Sequence, residues 1–357
     1  MKAAKWYAKR DVRVVETREP VAEQGEVKVK VKWCGICGSD LHEFLGGPIF
    51  IPEGQAHPLS KEQAPVIMGH EFSGEITEVG EGVEGFQPGD RVIVEPIRAC
   101  GECAACREGK YNICSRLGFH GLCGKGGGLA DYTTFPAEYV HKMPDELSYE
   151  KGALVEPLAV ALQSLRQGNF KIGMTALVLG SGPIGLATIE SLRAAGARTI
   201  IVMQRKSVRQ EYARTSGADH VLDPNEVDVA ARVKELTEGE GVDVSFDTTG
   251  SEVGLNIALD SLKHSGTAVI TSIWEEPVSI DPNKLVFQEK KMVGTLAYRD
   301  LFPAAIKMLA DGRIKADGWI TKKIDLDNIV EEGFGTLTGP DKKAQVKILV
   351  TPENEIL

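Results

Sequence analysis

The stretch Met174-Thr-Ala-Leu-Val-Leu-Gly-Ser-Gly-Pro-Ile-Gly-Leu186 constrains the fold more than any other part of the chain. An apolar run of strand length meets glycines spaced Gly180-x-Gly182-x-x-Gly185. Helical spacing continues from Leu186 to Ala195, and a second apolar run follows at Thr199–Met203. Strand, glycine turn, helix and strand in that order make the unit that binds a dinucleotide. Gly180 permits the tight turn, Gly182 lets the backbone approach a pyrophosphate, and Gly185 lets helix and strand pack closely. Pro183 and Ile184 open the helix whose N-terminus faces the phosphates. Further strands are expected at 219–222, 242–247, 267–271 and 292–293, with helices near 227–236 and 254–262. This alternation predicts an α/β doubly wound parallel sheet.

The first third has another period. Residues 12–31 alternate polar and apolar, as do 72–79 and 90–94, and glycines at 80, 82, 85 and 89 punctuate the turns. Period two with frequent turns predicts an antiparallel β-barrel. A last alternating run, Ala344–Val350, is expected to return to it, which makes that domain discontinuous: 1–155 with 297–357, against 156–296 for the dinucleotide domain.

Between them lie Cys100, Cys103, Cys106 and Cys114, a C-x2-C-x2-C-x7-C pattern in a lobe near 98–116. Four thiolates so close complete a closed tetrahedral zinc site, which implies a structural role. Four cysteines also suit an iron–sulfur cluster, but the spacing favours zinc. The seven cysteines are odd in number and closely spaced in a chain of 357 residues, so they are read as reduced thiols in a cytoplasmic protein.

Chemistry is therefore sought elsewhere. Gly35-Ile-Cys-Gly-Ser-Asp-Leu-His42 crowds a thiol, a hydroxyl, a carboxylate and an imidazole into six residues. Gly69-His70-Glu71 and Glu156-Pro157 supply the other ligand types that a zinc site needs. Glu156 stands in an otherwise apolar helix at 154–165, where a carboxylate is explained either by a cation partner or by the helix N-terminus ahead of Pro157. Zinc beside a nicotinamide suits reversible alcohol oxidation: Ser39 takes the alcohol proton and His42 passes it on.

The nicotinamide cofactor is read from the end of the second strand of the dinucleotide unit. A carboxylate there commonly holds the adenosine ribose; this chain has Gln204-Arg205-Lys206-Ser207 instead, which favours the 2′-phosphate of NADP(H) over NAD(H). The formal net charge of -10 and the absence of an 18-residue apolar run argue against nucleic acid and membrane as partners.

Taken together, Cys37–His42, Gly69–Glu71, the cysteine lobe and the glycine turn resemble the zinc-dependent medium-chain alcohol and polyol dehydrogenases across essentially the whole chain. Residues 33–43, 45–52, 64–74, 272–275, 294–303 and 345–350 are similar to the 2,3-butanediol (acetoin) dehydrogenase subgroup. The resemblance implies a GroES-like barrel with a Rossmann domain and two zincs per chain, the catalytic one held by Cys37, His70 and Glu156. Glu71 would ligate transiently or support the ligands, and Asp40 would hold the His70 ring. It also implies a small vicinal diol or hydroxyketone as substrate, with sorbitol and L-threonine as alternatives, and a homodimer or homotetramer. Ile49, Phe50 and Trp274 suggest a small apolar-walled pocket. The Gln204–Ser207 stretch departs from the subgroup, which is usually NAD-dependent.

Overall fold

The computed structural model describes residues 1–353 and divides into two compact units. One comprises Met1–Glu156, Phe302–Asp311 and the chain from Ile320 onward; the other comprises Pro157–Leu301 with Gly312–Trp319.

The first unit is β-rich, as its alternating sequence requires. Its larger sheet runs in the order Val140–Lys142, Arg91–Val94, Glu71–Val79, Glu26–Gly35, Lys347–Thr351, Ile320–Asp325, with Tyr132–Pro136 also paired to Glu26–Gly35. A smaller sheet is built from Lys2–Ala8, Asp11–Glu16 and Val66–Ile67. Inward residues of both sheets, among them Trp6, Val29, Val31, Phe72, Phe135 and Ile348, share one core. Register places functional positions side by side: Gly35 lies opposite Glu71 on one flank and opposite Leu349 on the other. The last alternating run thus brings Lys347, from the far end of the chain, to the same end of the sheet.

The second unit is the doubly wound sheet anticipated from the glycine turn. Six parallel strands lie in the order His220–Leu222, Thr199–Met203, Thr175–Leu179, Val242–Asp247, Leu262–Ile270, Lys291–Gly294. The order reverses between Thr175–Leu179 and Val242–Asp247, so their carboxyl ends form the switch point at which such sheets take ligands. The segment Gly312–Trp319 is fastened to this unit by one buried carboxylate. Glu190 accepts from the Lys315 and Ala316 amides at 2.8 and 3.1 Å and from Trp319 Nε1 at 2.9 Å. Among the described residues, no helix is long and apolar enough to cross a membrane.

Candidate functional site

The helix Gly38–Gly46 organises the first cluster. Cys37 is its N-cap, and Asp40, three residues on, accepts the Cys37 amide through Oδ2 at 2.9 Å. A cysteine so placed sits at the positive end of the helix dipole, which favours its thiolate. Asp40 Oδ1 faces His70 Nδ1 at 3.7 Å, beyond hydrogen-bond length, and both atoms are buried without a hydrogen bond. Ser39 Oγ lies 3.3 Å from His70 Nε2. A proton on Nδ1 facing Asp40 leaves Nε2 as the lone-pair donor, the tautomer a metal requires.

Donor atoms of Cys37, His70 and Glu71 lie within 4.8 Å of one another. Burial pushes the Cys37 thiol well above its ordinary range, Glu71, Glu156 and Asp40 add to this, and Lys347 opposes it. Asp40 is likewise raised by burial, with His70 and the Cys37 amide pulling the other way. Such an assembly of anionic donors is costly without a cation, so the donor set fits a divalent metal.

The carboxylate grouped with the Cys37 and His70 donor atoms is already engaged. Glu71 pairs with Lys347 Nζ at 2.7 Å through Oε1 and 2.5 Å through Oε2, and Nζ also donates to the Ile36 carbonyl at 3.1 Å. Burial alone would lower the Lys347 ammonium, but Glu71, Cys37 and Glu156 raise it above its ordinary value, so it stays charged. Room for this pair comes from Gly35: a Cβ there would meet Glu71 Oε2 at 2.1 Å. Glu156 is buried at the start of the helix Val155–Gln167, outside the tight trio, and acts electrostatically on both Cys37 and Lys347.

The cysteine lobe is a second cluster. Sγ–Sγ separations are 3.9 Å for Cys100–Cys106, 3.5 Å for Cys103–Cys106 and 4.0 Å for Cys103–Cys114. Tetrahedral zinc with bonds of about 2.3 Å sets its sulfurs about 3.8 Å apart, so the four already stand at the spacing it needs. The amides of Cys100 and Arg116 both donate to Cys114 Sγ at 3.3 Å. The Ser115 and Cys106 amides bring Cys103 down to about 5, and the Glu102 amide brings Cys100 down to about 7. Burial, with Cys103 and Cys114, pushes Cys106 up to about 12.

In the second unit, each glycine of the turn meets a distinct demand. Gly180 has φ +91°, and a Cβ on it would strike Thr249 at 2.9 Å; one on Gly185 would strike the Gly180 carbonyl at 2.2 Å. Gly182 is the N-cap of the helix Pro183–Ala194, with open space above it except for Arg209 Nη1 at 3.7 Å from a Cβ position. Gln204 is committed internally: its Oε1 accepts from Ser181 N and Oγ at 2.9 and 3.0 Å. Its Nε2 donates to the Arg205 carbonyl at 2.9 Å. Arg205 and Lys206 are exposed, and Ser207 Oγ accepts from the Arg209 amide at 3.3 Å.

The remaining expected residues fall as follows. His42 is half-buried, one turn beyond Ser39 on the same helix. Ile49 and Phe50 are exposed in the loop after that helix. Trp274 packs against the core of the second unit. Sequence reasoning passed over Lys347, whose only signal is a lone cation in an apolar strand, and Glu43, a carboxylate buried inside the motif itself.

Residues 23–145 match the alcohol dehydrogenase GroES-like domain and residues 183–311 match the zinc-binding dehydrogenase family. The chain is 52% identical over 353 residues to the (R,R)-butanediol dehydrogenase of Bacillus subtilis, covering 99% of this chain and 100% of that one. It is 37% identical over 383 residues to a probable (R)-acetoin-forming diacetyl reductase of Saccharomyces cerevisiae, covering 99% and 91%. The crystal structure of the Bacillus subtilis 2R,3R-butanediol dehydrogenase superposes with a TM-score of 0.92, covering 98% of this chain and 99% of that one. The chain belongs to the zinc-binding alcohol dehydrogenase family. It is an alcohol or diol dehydrogenase of that family, working with zinc and a nicotinamide cofactor.

Proposed function

We propose that this enzyme interconverts 2,3-butanediol and acetoin, with diacetyl reduction as a second capacity. The observation that carries the reading is the identity with the (R,R)-butanediol dehydrogenase of Bacillus subtilis along the whole chain. Cys37, His70 and Glu156 would hold the catalytic zinc and Cys100, Cys103, Cys106 and Cys114 a structural one, two per chain. When bound, zinc supplies Lewis acidity at the alcohol oxygen and the nicotinamide accepts or returns the hydride.

The chain's own groups do the rest. Asp40, facing His70 Nδ1 across 3.7 Å, favours the ring orientation through its charge rather than a hydrogen bond, while Lys347 holds Glu71 in place. Ser39 takes the substrate proton and passes it towards His42, which lies on the same face of the helix one turn on. Turnover of 2,3-butanediol isomers should exceed that of sorbitol and L-threonine; faster turnover of sorbitol would overturn the reading.

NADP(H) is the proposed cofactor. A neutral Gln204, its acceptor oxygen occupied by Ser181, presents no carboxylate to repel a 2′-phosphate, and Arg205, Lys206 and Ser207 offer charge and hydrogen bonds. The rate with acetoin and NADPH should exceed that with acetoin and NADH; the reverse order would overturn the assignment.

A homodimer is the proposed assembly. Lys291–Gly294 is an edge strand of the parallel sheet, and Val286 and Phe287 beside it are 66% and 80% exposed. An apolar edge of this kind suits isologous pairing with a second copy. Phe287→Lys should shift the sedimenting species to monomer. The seven free cysteines fit a reducing, cytoplasmic setting.

A further inference from the structure

The helix that presents Cys37, Ser39 and Asp40 at one end carries a second buried carboxylate at the other. Glu43 is fully buried. Its oxygens accept three successive backbone amides: Ile49 at 3.0 Å, Phe50 at 2.5 Å and Ile51 at 3.1 Å. Consecutive amides converging on one point form a nest of donors, and here it is filled by a side chain of the chain itself. The grip is tight. Glu43's own carbonyl accepts from Trp6 Nε1 at 2.9 Å and from the Gly47 amide at 3.0 Å, and a Cβ on Gly47 would meet that carbonyl at 2.4 Å and Oε2 at 2.5 Å.

The loop so held carries Ile49 and Phe50, whose side chains are exposed while their amides point inward. We infer that Glu43 is a positioning residue that sets the wall made by Ile49 and Phe50, and thereby the preference for a short vicinal diol over a longer polyol. One helix thus fixes both the reacting end of the site and the wall that measures the substrate. This inference rests on the proposed diol reading and on Ile49 and Phe50 lining the pocket. It needs a carboxylate because an amide oxygen has fewer acceptor sites than three amides and two carboxylate oxygens can share.

The test compares Glu43→Gln, Gly47→Ala, Ile49→Ala and Phe50→Ala with the wild type. For each, KM and kcat are measured on 2,3-butanediol and sorbitol, together with zinc content and amide exchange at residues 49–51. For Glu43→Gln, faster exchange at residues 49–51 is expected, with KM for butanediol raised roughly tenfold, the scale set by one unpaired buried amide. Its kcat should stay within about twofold and both zincs should remain. Gly47→Ala, which keeps Glu43 but pushes the loop off it, should move KM the same way. An unchanged KM in Glu43→Gln despite faster exchange would overturn the inference, as would a fall in kcat and zinc content in step with KM. Wild-type KM values in both Ile49→Ala and Phe50→Ala would instead overturn the pocket reading, whatever Glu43→Gln does.

Discussion

The two clusters of candidate metal donors are assembled in opposite ways. The cysteine lobe draws four donors from the 15 residues Cys100 to Cys114, so short turns alone bring the sulfurs to zinc spacing. The Cys37 cluster draws on a helix N-cap, the strand Glu71–Val79 with the residue before it and, through Lys347, a strand 276 residues beyond Glu71. A local site is stabilised by its own loop geometry. A dispersed site exists only when the whole sheet is in register, and it can keep a buried charged pair, Glu71 with Lys347, whereas the lobe's pairs, Arg116–Glu102 and Lys110–Glu108, lie at its surface.

The sharpest way to break this comparison is at the thiols. Cys37→Ser should lose one zinc and lower kcat/KM by on the order of 10³-fold, about 4 kcal/mol, while the lobe keeps its metal. Metal analysis paired with steady-state kinetics checks it. Lys347→Met should follow in size. It strands Glu71 as a buried unpaired charge, at about 3–5 kcal/mol of stability, and adding Glu71→Gln should restore most of the loss. Denaturant unfolding of the single and double variants reads the coupling.

Cys103→Ser should act on stability rather than chemistry. The lobe zinc is lost and the unfolding midpoint falls by about 10 °C, but kcat per zinc-loaded catalytic centre stays within about twofold. A large fall in kcat would mean that the lobe reaches into the reaction.

The smallest effect concerns His120, buried between Phe72 and Phe135, with Nε2 2.7 Å from Thr133 Oγ1. Burial brings it down to about 3, so between about pH 3 and 6.5 the unfolded chain binds a proton that the folded chain refuses. Its contribution to stability is full above about 6.5 and declines as pH falls, by about 2 kcal/mol at pH 5. His120→Gln should flatten the stability profile between pH 7 and 5. An unaltered slope would place the acid sensitivity elsewhere, with the zinc thiolates as the first alternative.

How much was legible in the sequence follows the same division. The grouping of the four cysteines and the glycine turn could be read directly, because each needs only near neighbours in the chain. The strand Val242–Asp247 was found with its bounds intact. By contrast, the helix expected over 254–262 runs Glu252–Asp260, started by the Ser251 cap, and Leu262 opens the next strand; a short apolar run fits either period, and pairing with Val242 decided it. Glu71, next to His70 in the chain, and Glu156 could both be read as carboxylates for the site; that Glu71 is held by a lysine could not, since the pairing depends on the register that sets Gly35 opposite both Glu71 and Leu349. Lys347 was invisible for the same reason: its partner is distant in the chain, and only the finished sheet brings the two charges together.

The placement of Lys347 also imposes an order on biosynthesis. A ribosome adding roughly 5–20 residues per second needs on the order of 14 to 55 s to travel from Glu71 to its counter-ion. Throughout that interval the strand Glu26–Gly35 lacks its neighbour Lys347–Thr351, and Glu71 has no lysine to meet. The four cysteines of the lobe can come together early in synthesis, whereas Lys347 reaches Glu71 only near the end, so a prematurely stopped chain would carry the cysteine cluster without the completed surroundings of Cys37.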